Sequence, residues 1–225
     1  MPDIGMHEIS AIVLAAGSSS RFGGPKLMQP LTGDASAMCV LSHALQPWLA
    51  SFPHVQVVVP PEHKALRTQV ERELHRADRI HWLACEQSAL GMGHSLAFGV
   101  AQTAQAGAWL IGLGDMPDIQ ASTLQLLAAR LASGNTLVAP AHAGKRGHPV
   151  GFSAQFRQSL MACEGDQGAR RVLQEHMHQL LTLDVDDAGV LFDIDTVADW
   201  QRRMLAVATP RFLPRADVEF SRFDF

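Results

Sequence analysis

Short apolar runs alternate along this chain with longer stretches in which apolar residues recur at helical spacing. Ile9 to Leu14 is a β-branched run cut off by the small residues Ala15 to Gly24, which predicts a strand feeding a glycine-serine loop. A helix is expected over Met38 to Leu49, a valine-rich strand over Val55 to Val59, and a helix over Glu62 to Arg76. Then come a strand at Ile80 to Ala84, a loop at Gly91 to Gly93, and a small-residue helix from Ser95 to Ala106. The apolar strand Trp109 to Leu113 ends abruptly at Gly114-Asp115-Met116-Pro117. A helix over Ser122 to Leu131 and a strand over Thr136 to Ala139 lead into a glycine-rich stretch, Ala143 to Gly151. Helices at Ala154 to Ala162 and Gly168 to His178, a strand at Leu180 to Val185 and a helix after Asp195 complete the pattern.

Fully apolar strands alternating with helices imply an α/β fold, with a mainly parallel sheet covered on both faces and functional loops at the carboxyl ends of its strands. At 225 residues one such domain accounts for positions 1–208, and the Arg- and Phe-rich stretch 209–225 reads as an irregular tail.

Composition narrows the chemistry. A net charge of −4 provides no basic field for a polynucleotide, so no nucleic-acid partner is expected. Two of the three lysines, Lys26 and Lys145, nevertheless sit in glycine-bearing segments, where a few placed cations could meet a small polyphosphate. Cys39, Cys85 and Cys163 are odd in number and lack C-x-x-C spacing, which disfavours disulfides and structural zinc. No signal peptide or membrane-length apolar run is evident, so a cytoplasmic location is expected.

Three segments carry candidate chemistry. Leu14-Ala15-Ala16-Gly17-Ser18 lets backbone N–H groups approach an anion, and Arg21 and Lys26 follow within reach. The segment fits neither the P-loop nor the dinucleotide-binding glycine pattern; taken alone, it could equally be a structural turn. Asp115 emerges from an apolar strand, as a ligand for a hard cation would, although it could also be a solvated turn acid; Ser122 or Thr123 is the expected cap of the next helix. Asp193 and Asp195 precede the last helix, where Asp195 or Thr196 could simply be its N-cap, with Asp199 completing a capping box.

The full pattern L-A-A-G-x-S-x-R-F-G-x-x-K over residues 14–26 resembles the opening signature of the MobA-like nucleotidyltransferases. Gly91-Met92-Gly93-His94-Ser95-Leu96, the L-G-D-M-P around Asp115 and the D-I-D-T around Asp195 resemble further motifs of that family, in family order. Gly144 to Val150 and Gly165 to Arg170 are similar to stretches typical of its molybdenum cofactor cytidylyltransferases.

The resemblance implies a Rossmann-like three-layer fold and Mg²⁺-dependent transfer of CMP from CTP to molybdopterin. Residues Leu14 to Ser18, Gly91, Gly93 and Ser95 would bind the nucleotide, and Arg21 and Lys26 would hold the triphosphate. Asp115 and Asp195, with Asp193 as a further candidate, would ligate the metal. Lys145, Arg146, His148, Gly168 and Arg170 would face the acceptor, although Lys145 and Arg146 could equally form a basic hairpin. His94 stands where the family commonly has a small residue and is expected to be packed or at the surface rather than catalytic. GTP in place of CTP, another phosphorylated acceptor, or a pterin-binding chaperone delivering to a molybdoenzyme remain alternatives.

Overall fold

The computed structural model describes residues 5, 8–31 and 37–208. The expected tail, 209–225, lies outside them. Eight strands form one mixed sheet in the order β3-β2-β1-β4-β7-β5-β6, with β8 pairing β5. The strands are β1 (Ile9–Leu14), β2 (Val55–Val59), β3 (Ile80–Ala84), β4 (Ala108–Leu113), β5 (Leu137–His142), β6 (Lys145–Arg146), β7 (Val150–Ser153) and β8 (Leu180–Asp184). The helices are α1 (Val40–Ser51), α2 (Lys64–Glu73), α3 (Met92–Gln102), α4 (Ala121–Ala132), α5 (Arg157–Met161), α6 (Arg170–Glu175) and α7 (Val197–Ala208).

Strand periodicity sorts the core into two layers. Ala11, Val13, Val55, Val57 and Val59 point toward α1, α2 and α4, where they pack with Leu45, Trp48, Val70 and Leu127. Ile12, Leu14 and Val58 point the other way, onto Leu96 and Val100 of α3, Leu160 of α5 and Leu173 of α6. Helices on both faces are what the doubly apolar strands require.

β1 is flanked by β2 and β4, both parallel to it. The strand order reverses there, so the loops leaving β1 and β4 lie at a topological switch point, where open α/β sheets bind their ligands. The two strand ends are in register at Leu14 and Leu113, and Gly114 N–H donates to the Leu14 carbonyl at 2.9 Å. A Cβ on Gly114 would lie 2.9 Å from Leu41 and 3.1 Å from Ala15, so only glycine lets the second loop run this close to the first.

Several expected elements differ. The glycine-rich stretch after β5 is a hairpin whose return arm, β6 and β7, pairs antiparallel with β5. β7 also pairs antiparallel with β4. The helix expected at Gly168 starts instead at Arg170 and ends at Glu175, because Gly168 adopts φ 52° and ψ −133°, which no helix accepts. The loop expected over Gly91 to Gly93 gives way to α3 at Met92. The expected helix 154–162 is a 3-10 turn followed by α5. The expected cap on α4 is also corrected: α4 starts after Gln120, and buried Asp187 accepts from Gln120 N–H at 2.9 Å and the Thr123 hydroxyl at 2.6 Å. Among the described residues no helix is long and apolar enough to cross a membrane.

Candidate active site

The first loop leaves β1 with Ala15 N–H bonded to the Val58 carbonyl at 2.8 Å, then turns through Ser19 at φ 51°. Gly17 and Ser18 are exposed, and a Cβ at Gly17, Gly23 or Gly24 would meet no heavy atom within 4 Å. The loop therefore borders open space. Its exit tightens into a 3-10 turn at Lys26–Met28, which turns the Lys26 side chain inward, leaving that residue 8% exposed.

An ammonium is seldom buried unless carboxylates meet it. Lys26 Nζ lies 2.7 Å from Asp115 Oδ2 and 3.5 Å from Asp195 Oδ1. Arg21, on the open side, reaches Asp195 Oδ2 at 2.5 Å. Two cations from the first loop and two carboxylates from distant segments thus form one cluster. Ile194 N–H donates to the Asp115 carbonyl at 3.0 Å, and Ile194 is fully buried with Leu31 and Val40. This contact registers the third segment against the second.

Asp195 is not consumed as a cap. Thr196 and Asp199 form the capping box of α7: Asp199 N–H donates to Thr196 Oγ1 at 3.2 Å, and Thr196 N–H donates to Asp199 Oδ2 at 2.9 Å. The residue before the box is left to point into the cluster.

Asp193 joins it. Asp115, Asp193 and Asp195 each offer an oxygen within 4.8 Å of the others. Asp193 is exposed as a residue, yet partial desolvation of its carboxyl, followed by repulsion from Asp195 and Asp115, raises it above the usual carboxylate range. Asp115 Oδ1 is buried and, among the described residues, has no hydrogen-bond partner. An orphaned carboxylate oxygen within an all-oxygen acidic cluster fits a hard divalent cation such as Mg²⁺ or Mn²⁺.

The remaining expected residues form two groups. Gly91, at φ 121°, and Gly93 pack directly on residues 164–166: a Cβ at Gly91 would lie 2.4 Å from the Gly165 carbonyl, and one at Gly93 would lie 2.5 Å from the Glu164 carbonyl oxygen. Ser95 is buried in the first turn of α3. His94 Nδ1 accepts from Gly165 N–H at 3.3 Å, so that histidine fastens this junction. The acceptor candidates Gly168 and Arg170 belong to this group, with Gly168 beside Met92 and Arg170 exposed on α6. Because α6 has six residues and starts beyond Gly168, no helix N-terminus at Gly168 faces the acceptor side.

Lys145 and Arg146 form the second group, exposed on β6. His148 follows them, its N–H bonded to the Val190 carbonyl at 2.9 Å. Burial, reinforced by the Arg146 charge and opposed by Asp115, lowers the His148 pKa. The imidazole therefore feels both the basic hairpin and the acidic cluster.

Asp187 is a residue the sequence did not single out. Besides capping α4, its Oδ1 accepts from Gly189 N–H at 3.0 Å, fixing the turn that supplies the Val190 carbonyl to His148. Its partners on α4 lie 64 and 67 positions away, and no local pattern encodes them. A cavity of about 310 Å³ lined by Glu8, His54, Gln56 and His81 lies at the amino-terminal edge of the sheet, away from this cluster.

Comparison with known proteins identifies the family and the fold. Residues 11–180 match the family described as the MobA-like NTP transferase domain. Purine catabolism protein PucB of Bacillus subtilis is 31% identical over 195 residues, covering 84% of this chain and 92% of that protein. The crystal structure of the Mycobacterium tuberculosis rv0371c homolog from Mycobacterium sp. strain JC1 is 28% identical, with a TM-score of 0.73 over 90% of this chain and 98% of the other. Rv0371C of M. tuberculosis H37Rv, solved in complex with manganese, shares the fold at a TM-score of 0.70 and 23% identity, covering 88% of this chain and 98% of that one.

Proposed function

This chain belongs to the MobA-like NTP transferase family and is a nucleotidyltransferase with the Rossmann-like fold, and we propose that it transfers CMP from CTP to the phosphate of molybdopterin, releasing pyrophosphate. The observation that carries this reading is Lys26, buried between Asp115 and Asp195 beside a small-residue loop that borders open space. A cation and two carboxylates in that arrangement suit a metal-bound triphosphate.

Asp115 and Asp195, assisted by Asp193, would hold Mg²⁺, which when bound neutralises charge on the polyphosphate. Lys26 and Arg21 exchange their aspartate partners for phosphate oxygens and stabilise the charge gathering on the leaving group. An oxygen of the acceptor phosphate attacks the α-phosphorus in line, forming a new P–O bond. The bond from the α-phosphorus to the bridging oxygen breaks, and its electron pair departs with pyrophosphate. The attacking oxygen is already ionised, so no general base is required. Ala15 to Ser18, with Leu14 at the strand end, would offer backbone donors to the nucleotide.

Lys145, Arg146 and Arg170 would meet the acceptor's charge, while His148, held neutral, would supply a hydrogen bond. CTP is preferred to GTP because the loop carries Ala16 in L-A-A-G, and the pterin because Gly144 to Val150 and Gly165 to Arg170 resemble the cytidylyltransferase branch. A molybdoenzyme receiving the product is the proposed downstream partner.

Pyrophosphate release with each NTP in turn, with and without molybdopterin, tests the proposal. Release confined to CTP plus pterin is expected. Release with GTP would reassign the base, and pterin binding without turnover would indicate a carrier.

A further inference from the structure

We propose that the ion pair between Arg203 and Asp118 is a positioning device that sets the spacing of the two carboxylate-bearing segments and so the affinity of the divalent-cation site. The proposal rests on the metal-site reading above. Asp118 lies three residues beyond Asp115 on the loop that leaves β4, and Arg203 lies on α7, the helix that Asp195 precedes. Arg203 Nε donates to Asp118 Oδ1 at 2.8 Å and Oδ2 at 2.6 Å. The side chains are 21% and 27% exposed, so water screens the pair in part.

Other contacts tie α7 to the exit of the first loop. Trp200 Nε1 donates to the Pro30 carbonyl at 2.8 Å, four residues after Lys26. Ile194 packs into a small core with Leu31 and Val40, flanked by Phe22, Leu27 and Trp200. The helix thus touches the segment that carries Lys26 and, through Arg203, the segment that carries Asp115. The family match over residues 11–180 includes Asp118 but not Arg203, which lies beyond it on α7.

A partly exposed ion pair contributes little to global stability, so the fold is expected to survive its loss. Metal ligation is far less tolerant, because ligands must be held to within about 0.5 Å and changes in supporting residues typically weaken metal binding 10–100-fold. A merely structural bridge would show the opposite pattern.

The test is Mn²⁺ binding to the full chain without nucleotide, followed by electron paramagnetic resonance, alongside thermal melts. Arg203→Gln and Asp118→Asn are each expected to raise the Mn²⁺ Kd about tenfold with little change in melting temperature. The exchanged pair, Asp118→Arg with Arg203→Asp, is expected to restore much of the loss. Unchanged Mn²⁺ affinity in the folded single variants would overturn the proposal. If Arg203→Gln does not fold, Asp118→Asn decides: it keeps the size of the side chain and removes the charge that Arg203 meets, so weaker binding supports the device and wild-type binding overturns it. Asp195→Asn separates the two readings, because unchanged Mn²⁺ affinity there would defeat the metal site itself.

Discussion

Replacing Lys26 by methionine keeps the length of the side chain and removes the charge between Asp115 and Asp195. At an effective dielectric of about 20, contacts of 2.7 and 3.5 Å correspond to gross attractions of about 6 and about 5 kcal/mol. Desolvation of the ammonium offsets most of this, and the carboxylates, 20% and 29% exposed, are partly screened by water, which leaves a net loss of about 2 kcal/mol. For a 225-residue domain that lowers the melting temperature by about 4–8 °C. The diagnostic part is the response to metal. Without Lys26 the three aspartates repel one another and gain more from a divalent cation, so saturating Mg²⁺ or Mn²⁺ should narrow the gap between variant and wild type. Melts in chelator and in each metal measure both effects. A variant as stable as wild type in chelator, and equally indifferent to metal, would refute the electrostatic account of the cluster.

Asp115→Asn should leave the melting temperature within a few degrees while reducing Mg²⁺-dependent pyrophosphate release by about 10²-fold or more, the scale of losing a main charge-stabilising group. Because burial lowers the His148 pKa, the native state binds fewer protons there than the unfolded chain. Its contribution is therefore complete above the unfolded value of 6.5 and declines as pH falls below it; His148→Gln should flatten that part of a stability-versus-pH curve. Gly93→Ala places a methyl 2.5 Å from the Glu164 carbonyl oxygen, and backbone must move to admit it. A loss of about 1–3 kcal/mol in denaturant melts is expected, together with a raised KM for the nucleotide.

Much of the architecture is legible along the chain because the central strands are buried on both faces. Ile9 to Leu14 and Val55 to Val59 needed no context, and their boundaries agree with the structure. The hairpin at Lys145 and Arg146 is one of the two readings the sequence leaves open there, whereas Gly147 and Pro149 hide the strand β7 that follows, whose pairing with β4 and β5 is decided by tertiary contact. The cluster of Arg21, Lys26, Asp115 and Asp195 could be assembled because each belongs to a motif in a loop that leaves a strand or enters a helix. Asp187 and Asp118 could not, since neither carries a motif role and nothing local pairs Asp118 with Arg203, 85 residues away. Gly91 and Gly93 read as an anion-binding loop, whereas their visible constraint is close packing on residues 164–166.

The central claim is that Asp115 and Asp195 hold a divalent ion beside the cations of the first loop. Anomalous scattering from crystals grown with Mn²⁺ and a non-hydrolysable CTP analogue addresses it most directly. The account predicts a manganese peak between Asp115 and Asp195, with the triphosphate in reach of Lys26 and Arg21. A nucleotide bound elsewhere, or manganese away from both aspartates, would contradict it.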